Sequence, residues 1–441
     1  MGLVAYVSIV ALGHLKHGSI DAMERLALTR SLLFDRSVVT REYGAIKYSA
    51  LQSVLMMPPY LAGFAVSKGL FAASDKDARQ AGYRFCAFLF TPVVCSLIAG
   101  LYARLLLDRG VDPRTTLTCA FTLLFATLLL PYSRLLFCEP LSALLLLVAY
   151  AAARSLERQE TRPALVTLFA TLGLLSLNNL AFLPVYALVG IYELVARQGR
   201  RAVVATAGAG VVFTLSAWFT YNVARYGDPL IFGYSDEGFT TPLTLGLAGL
   251  LVSPGRGLLL YSPLTIVGVV AFLATLRLVD PADRRVYGLF LLCAVANLLV
   301  FAKWHAFEGG WCWGPRFLLP FVPVLHLGLA GAAGAAHRPA RGLRSLAVMV
   351  AGWSIGVNAL EYLGAYGLFE RDMFLDGRVP YRWSVFRPEY SPLFHSWDPA
   401  RGLDRLPQFA VVLGAAGYVL LALSRRFARD VSVLARAGPV C

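Results

Sequence analysis

The chain contains 441 residues, of which 58% are hydrophobic and 15% charged, and its mean hydropathy is +0.63. A soluble domain cannot bury this much apolar surface, so the composition excludes an ordinary soluble protein. The formal net charge of +14 is high enough for nucleic-acid binding, but the charges lie between apolar stretches and form no basic tract. We therefore expect a membrane protein that binds membrane lipids and no nucleic acid.

Apolar stretches recur along the chain at lengths that suit membrane crossing, since about 20 helical residues span a bilayer core. Helices are expected because backbone polar groups must be satisfied internally in lipid. The sequence predicts an all-α, polytopic membrane protein that forms one domain, 1–441, with juxtamembrane helices on its outer face. About 12 spans are predicted, at 3–15, 83–107, 115–132, 140–153, 164–177, 180–196, 202–224, 245–276, 286–300, 317–336, 346–368 and 409–423.

The arginine-rich loops set the predicted orientation, because short basic loops face the cytoplasm. These loops share one side only if the apolar stretch 51–71 does not cross and 164–196 is a hairpin that turns at Asn178 and Asn179. If 164–196 were instead a single span, 51–71 would cross as well. In the favoured topology both termini and the tail 424–441 are cytoplasmic, and the outer loops are 16–82, 133–139, 225–244, 303–316 and 369–408.

The first outer loop opens with an acidic segment. Asp21 follows the first span closely, and Glu24 lies one helical turn further along. A carboxylate at the bilayer boundary can serve as a general base or hold a cation. The alternative is that Asp21 only caps the helix that begins there.

A cation, an aromatic ring and an amide stand at the start of the non-crossing stretch, as Lys47, Tyr48 and Gln52. This combination suits an interfacial helix that clasps a lipid phosphate. The alternative is that Lys47 only extends its amine to the headgroups.

The turn 133–139 contains one cation and one anion, Arg134 and Glu139. Such a pair forms either a salt bridge that locks the turn or a contact to substrate, and we favour the salt bridge.

Two glycine-containing loops give the strongest local signals. One contains Ser-Pro-Gly-Arg and ends at Arg256; the other contains Trp311, Trp313 and Arg316 beside paired glycines. Glycines let the backbone approach a ligand, tryptophan faces stack on sugar rings, and arginine grips phosphate. An aromatic belt at the membrane surface is the alternative. We favour a binding site.

In this order, the motifs resemble the GT-C superfamily of membrane glycosyltransferases, specifically bacterial relatives of the dolichyl-phosphate-mannose protein mannosyltransferase and aminoarabinose transferase group. The resemblance covers nearly the whole chain and implies a GT-C-like fold in the cell (inner) membrane. It also implies transfer of a sugar, with inversion, from a polyprenyl-phosphate carrier to a glycan, lipid or protein acceptor at the outer face.

The resemblance carries over to individual residues. Asp21 matches the first-loop acid that acts as catalytic base or metal-site residue. A divalent metal is therefore the one cofactor that the resemblance suggests. Lys47, Arg256 and Arg316 become candidates for binding the lipid phosphate.

Two other functions stay open at this stage: a transporter or flippase of a lipid-linked or sugar substrate, and a non-catalytic GT-C relative. A transporter favours repeated halves and ionisable residues at mid-membrane. The enzyme instead requires Asp21, Glu139 and Arg316 to converge on one outward-facing cavity.

Overall fold

The computed structural model describes residues 20–198, 200–234, 237–310, 312–330, 341–363 and 382–395, with the single positions 6, 406, 407, 410 and 414. Helices joined by loops make up these ranges, and no β-strand forms within them. The predicted all-α class is confirmed. The predicted spans 3–15 and 409–423 and the tail 424–441 lie almost wholly outside the described residues, and of the loop 369–408 only 382–395, 406 and 407 are described.

The helices fall into two sets along the chain. The first set is α1 (Ile20–Arg30), α2 (Leu51–Leu55), α3 (Met57–Phe71), α4 (Asp75–Leu107), α5 (Pro113–Phe125), α6 (Leu129–Tyr132), α7 (Glu139–Arg158), α8 (Arg162–Asn178) and α9 (Leu183–Ala196). The second set is α10 (Arg201–Tyr226), α11 (Leu243–Leu251), α12 (Leu258–Tyr261), α13 (Pro263–Ala274), α14 (Pro281–Lys303), α15 (Val322–His326), α16 (Arg341–Leu363), α17 (Trp383–Phe386) and α18 (Pro392–His395).

Four of these helices are long and apolar enough to cross a membrane: α4, α7, α10 and α14. They coincide with the predicted spans 83–107, 140–153, 202–224 and 286–300. Shorter apolar helices of 10–17 residues, α8 and α13 among them, stand at other predicted spans. The total of about 12 spans stays a prediction.

Polar side chains fix where several long helices begin. Asp112 accepts hydrogen bonds from the backbone N–H groups of Arg114 and Thr115 at the start of α5, and Asp280 accepts from Ala282 and Asp283 at the start of α14. Proline follows each cap at the first helical position, where its missing N–H costs nothing.

The stretch that we predicted not to cross forms α2 and α3, with the break at Met56. Pro58 and Pro59 lie in the first turn of α3, a position that proline tolerates. The helix packs closely along α4, because a Cβ at Gly63 would lie 2.6 Å from the carbonyl oxygen of Ala81.

The predicted turn at Asn178 and Asn179 coincides with a real helix boundary. α8 ends at Asn178, and the Asn179 side chain caps the following 3₁₀ turn through the N–H of Ala181, at 3.0 Å. The Asn178 amide donates to the carbonyl of Cys138 at 3.2 Å and to Ser142 Oγ at 2.9 Å. The C-terminal end of α8 is thereby tied to the start of α7, where Glu139 lies.

A small apolar cluster holds α1 against its neighbours. Leu26 of α1 packs with Met56 and Tyr60 of the α2–α3 segment, with Cys86 of α4, and with Leu136 of the turn before α7. Apolar contacts of this kind fix the orientation of α1 and so place Asp21 beside that turn.

Candidate functional site

Four distant segments bring their polar side chains together at one place. Asp21 Oδ2 lies 2.9 Å from Arg316 Nη1, and Asp21 Oδ1 accepts a 2.6 Å hydrogen bond from the Tyr48 hydroxyl. Arg316 Nε lies 3.6 Å from Glu139 Oε1. Each of the predicted catalytic or binding residues Asp21, Tyr48, Glu139 and Arg316 therefore contacts another member of the set.

The charge of Asp21 is strongly stabilised in this arrangement. Burial alone would raise the pKa of its carboxyl, but the positive charges of Arg316 and Arg25 and the hydrogen bond from Tyr48 outweigh burial and hold the pKa at about 2. Burial and the neighbouring Asp21 carboxylate raise the pKa of the Tyr48 hydroxyl, which therefore keeps its proton and donates it.

The Arg316 guanidinium lies against two aromatic rings. Its guanidinium carbon lies 4.9 Å from the ring centroids of both Phe137 and Phe317, a distance at which cation–π attraction operates. Glu139 is the first residue of α7, where the helix dipole also stabilises a carboxylate. The guanidinium thus bridges Asp21 and Glu139 in a largely apolar surrounding.

Arg25 is a site residue that the sequence reasoning missed. It is buried, its guanidinium donates a 3.1 Å hydrogen bond to the carbonyl of Asp21, and its Cζ lies 4.1 Å from the Tyr48 ring centroid. The signal was its position four residues after Asp21, on the same face of α1.

Lys47 lies at the edge of this cluster. Its ammonium group forms an ion pair with Glu237 and faces the ring of Tyr234 at 5.3 Å and that of Tyr48 at 5.9 Å. The side chain is about one-third exposed, so the amine reaches the surface next to the Asp21 constellation.

Two other predicted binding residues are directed elsewhere. Gln52 is buried and donates to the carbonyl of Leu136 at 3.1 Å. Arg134 forms a buried ion pair with Glu361 of α16. The salt bridge that we predicted inside the turn 133–139 is therefore wrong, because Arg134 is drawn to α16 while Glu139 faces Arg316.

The glycine-rich loops are joined by Arg256. Its guanidinium donates to the carbonyls of Glu308 at 3.1 Å and Gly310 at 3.2 Å, on the two sides of Gly309. Arg256 therefore ties the two loops together, whereas Arg316 lies against the same glycine turn and points to Asp21.

The predicted tryptophans have different outcomes. Trp313 is fully buried and meets the Tyr261 ring edge-on at a centroid distance of 5.4 Å, so its faces are covered by protein and do not present a sugar platform. Trp311 lies outside the described residues.

The metal role of Asp21 finds no ligand set in the described ranges. No group of three or more His, Cys, Asp or Glu side chains comes together there, and both Asp21 oxygens face donors of hydrogen bonds. As the described ranges place them, these residues do not fit a divalent ion.

The described helices, with polar groups from separate loops gathered near the ends of long apolar helices, have the architecture of a polytopic helical membrane protein. The chain is similar to two crystal structures of ArnT, an aminoarabinose transferase, from Cupriavidus metallidurans. One, bound to undecaprenyl phosphate, is 14% identical with a TM-score of 0.52, over 95% of this chain and 76% of that one. The other, in the apo state, is 17% identical with a TM-score of 0.51, over 94% and 74%.

At these identities the likeness concerns the fold, and it confirms the GT-C-like fold that the motifs predicted. No protein-family model and no curated protein sequence matches the chain.

Proposed function

We propose that this protein is a membrane glycosyltransferase that moves a sugar from a polyprenyl-phosphate carrier to an acceptor at the outer face of the cell membrane, with inversion. The observation that carries the proposal is the contact among Asp21, Tyr48, Glu139 and Arg316, which come from three predicted outer loops, 16–82, 133–139 and 303–316. The ArnT-like fold supports the same class, and one ArnT structure contains undecaprenyl phosphate.

The chemistry needs a base and a stabilised leaving group. A carboxylate among Asp21, Glu24 and Glu139 removes the proton of the acceptor hydroxyl, whose oxygen attacks the anomeric carbon. The bond between that carbon and the carrier phosphate breaks, and the phosphate leaves with the electron pair. Arg316 and Lys47 are the cations placed to stabilise it.

The other predicted binding residues contribute indirectly in this scheme. Gln52, Arg134 and Arg256 hold the loops that surround the constellation, through the contacts described above. Trp311 remains a proposed sugar contact, and the loop that it shares with Trp313 provides the glycine turn behind Arg316.

A transporter or flippase is the alternative from another class. The contacts of Arg316 with both Asp21 and Glu139, which join separate loops, favour the enzyme. A transporter should instead place ionisable groups along a path through the membrane. A non-catalytic relative would keep the fold and fail to form a glycosidic product.

The experiment measures sugar transfer in proteoliposomes supplied with a panel of radiolabelled polyprenyl-phosphate sugars. We expect the wild type to release polyprenyl phosphate and form a labelled glycoside, and Arg316→Gln to abolish both. The matched control is Asp228→Asn, which neutralises an exposed acid of the loop 225–244. This variant should keep wild-type activity. Movement of intact donor across the bilayer without glycoside formation would instead establish a flippase.

A further inference from the structure

Two carboxylates on the first turns of α1 have different surroundings. Both oxygens of Asp21 are engaged, by Tyr48 and by Arg316. Glu24, one turn further on, is half-buried and has no hydrogen bond or ion pair with any residue in the described ranges. One carboxylate is therefore fixed in place and the other is available.

The charges around Glu24 come from three segments. Asp21 and Arg25 face it from its own helix, Lys47 faces it from the segment before α2, and Tyr226 faces it from the end of α10. Burial, followed by the negative charge of Asp21, raises the pKa of Glu24 against the opposing influence of Arg25 and Lys47. Two neighbouring carboxyl groups whose pKa values move in opposite directions commonly have different catalytic roles.

We infer that Glu24 is the residue that accepts the proton of the acceptor hydroxyl, and that Asp21 is a positioning residue that holds Arg316 and Tyr48. This inference rests on the proposed function. In the step, the hydroxyl proton passes to the Glu24 carboxylate, the hydroxyl oxygen bonds to the anomeric carbon, and the carrier phosphate departs with the electron pair of the broken bond.

The geometry makes Asp21 the poorer base. To accept a proton, Asp21 would have to weaken its ion pair with Arg316 and its hydrogen bond from Tyr48, both of which stabilise its charged form. A base also works best when its pKa is closer to the working pH, and the environment shifts Glu24 in that direction. Glu24 can take a proton without breaking any contact that the described residues make with it.

The pH dependence of the transfer rate tests this division of roles. A base acts only when deprotonated, so the wild-type rate should fall as pH falls through the pKa of Glu24. In Asp21→Asn the residual activity should keep this acid limb, but at lower pH, since the neighbouring negative charge that raises the pKa of Glu24 is gone. If Asp21 were the base, the limb would be lost in that variant.

The Glu24 variants complete the test. We expect Glu24→Gln to lower the single-turnover transfer rate by about 10² to 10⁴-fold, to lose the acid limb, and to bind undecaprenyl phosphate as the wild type does. Glu24→Asp restores a carboxylate and should recover part of the rate. A role that depended only on side-chain shape would not predict this recovery, because Gln matches the shape of Glu and Asp is shorter. Thermal unfolding in detergent confirms that each variant is folded.

Two failures are distinguishable. If Glu24→Gln transfers at the wild-type rate with an unchanged pH profile, the role of Glu24 is overturned while the glycosyltransferase stands. If the folded wild type forms no glycoside from any donor, the proposed function is overturned and the role of Glu24 with it.

Discussion

The Asp21 carboxylate contributes to stability through its charged form. Its pKa of about 2 in the folded protein lies below the ordinary value of 3.8 for an aspartate side chain, so the favourable interaction amounts to about 2 kcal/mol. Because the folded pKa is the lower one, this stabilisation is complete above about pH 4 and is lost as pH falls through 3.8 toward 2.

It follows that Asp21→Asn should lower thermal stability at pH 5 as well as at pH 8. The measurement is the unfolding temperature of purified protein in detergent at several pH values in that range. A deficit that disappears at pH 5 would mean that Asp21 is already protonated there, contrary to the ion pair with Arg316.

The glycine turn behind Arg316 offers a pair of matched substitutions. Gly309 and Gly310 both have positive φ, +79° and +67°, so alanine strains the backbone at either position. Only at Gly309 would the new Cβ meet Arg316, at 2.9 Å from Cγ, whereas a Cβ at Gly310 would have no atom of the described residues within 4 Å.

We therefore expect Gly309→Ala and Gly310→Ala to lose similar stability, about 1 kcal/mol each, but only Gly309→Ala to displace the guanidinium. Transfer activity should fall at least about 10-fold in Gly309→Ala, since misplacement by about 1 Å can cost more than that. The comparison uses initial transfer rates and unfolding temperatures of both variants. Equal activity losses in the two would show that the effect comes from the backbone alone.

Some of the site could be read from residue types, and some could not. Asp21, Glu139 and Arg316 were predictable because charged residues in the predicted outer loops of an apolar chain commonly have a functional role. Arg134 was assigned to the wrong partner because Glu361 is 227 positions away, and no local pattern reports such a pairing. Arg25 escaped notice because an arginine on a helix has many ordinary explanations.

At the scale of elements, the C-terminal end of α10 positions the segment that carries Lys47 and Tyr48. Arg225 is buried there and donates to the carbonyl of Ile46 at 2.5 Å and to that of Tyr48 at 3.1 Å. Asn222 accepts from the same guanidinium at 2.7 Å and 3.2 Å. The 46–48 backbone is thus hydrogen-bonded to α10, a candidate membrane-spanning helix.

Arg225→Lys should therefore disturb the site from a distance. Lysine keeps the charge but cannot reproduce the planar fork that reaches two carbonyls and an amide. We expect a clear fall in transfer rate together with reduced thermal stability. Tyr226→Phe, which removes only the hydrogen bond to the Ile46 carbonyl at 3.2 Å, is the milder control, and an equal effect of both variants would contradict a special role for Arg225.

The element predictions succeeded where apolar length and capping residues both marked a boundary. Asn178 ended a helix as expected, and α10 and α14 matched their predicted spans within a few residues. The α4 helix was underestimated: it begins at Asp75, whereas the apolar pattern placed the span from 83. Its first turns contain charged residues that hydropathy reads as loop, and Ser74 caps the helix through the N–H of Asp77.

At the scale of the whole molecule, the assignment of sides decides whether the site faces outward. The α10 helix is a suitable probe because its 26 residues extend about 39 Å at 1.5 Å each, enough to separate two aqueous faces. Arg201 at its start and Asp228 just beyond its end are both exposed, and the end near Asp228 is the one that contacts Tyr48.

We predict that, in intact cells, a membrane-impermeant maleimide labels Asp228→Cys and labels Arg201→Cys only after the membrane is permeabilised. The unsubstituted protein provides the background from its own cysteines, and the six cysteines in the described ranges are all buried. The expectation follows from the arginines that flank the start of α10, which favour the cytoplasm. The reverse pattern would place Asp21, Tyr48 and Arg316 on the cytoplasmic side, where the proposed donor and acceptor at the outer face could not reach them. Labelling of both positions from outside would show that α10 does not cross the membrane.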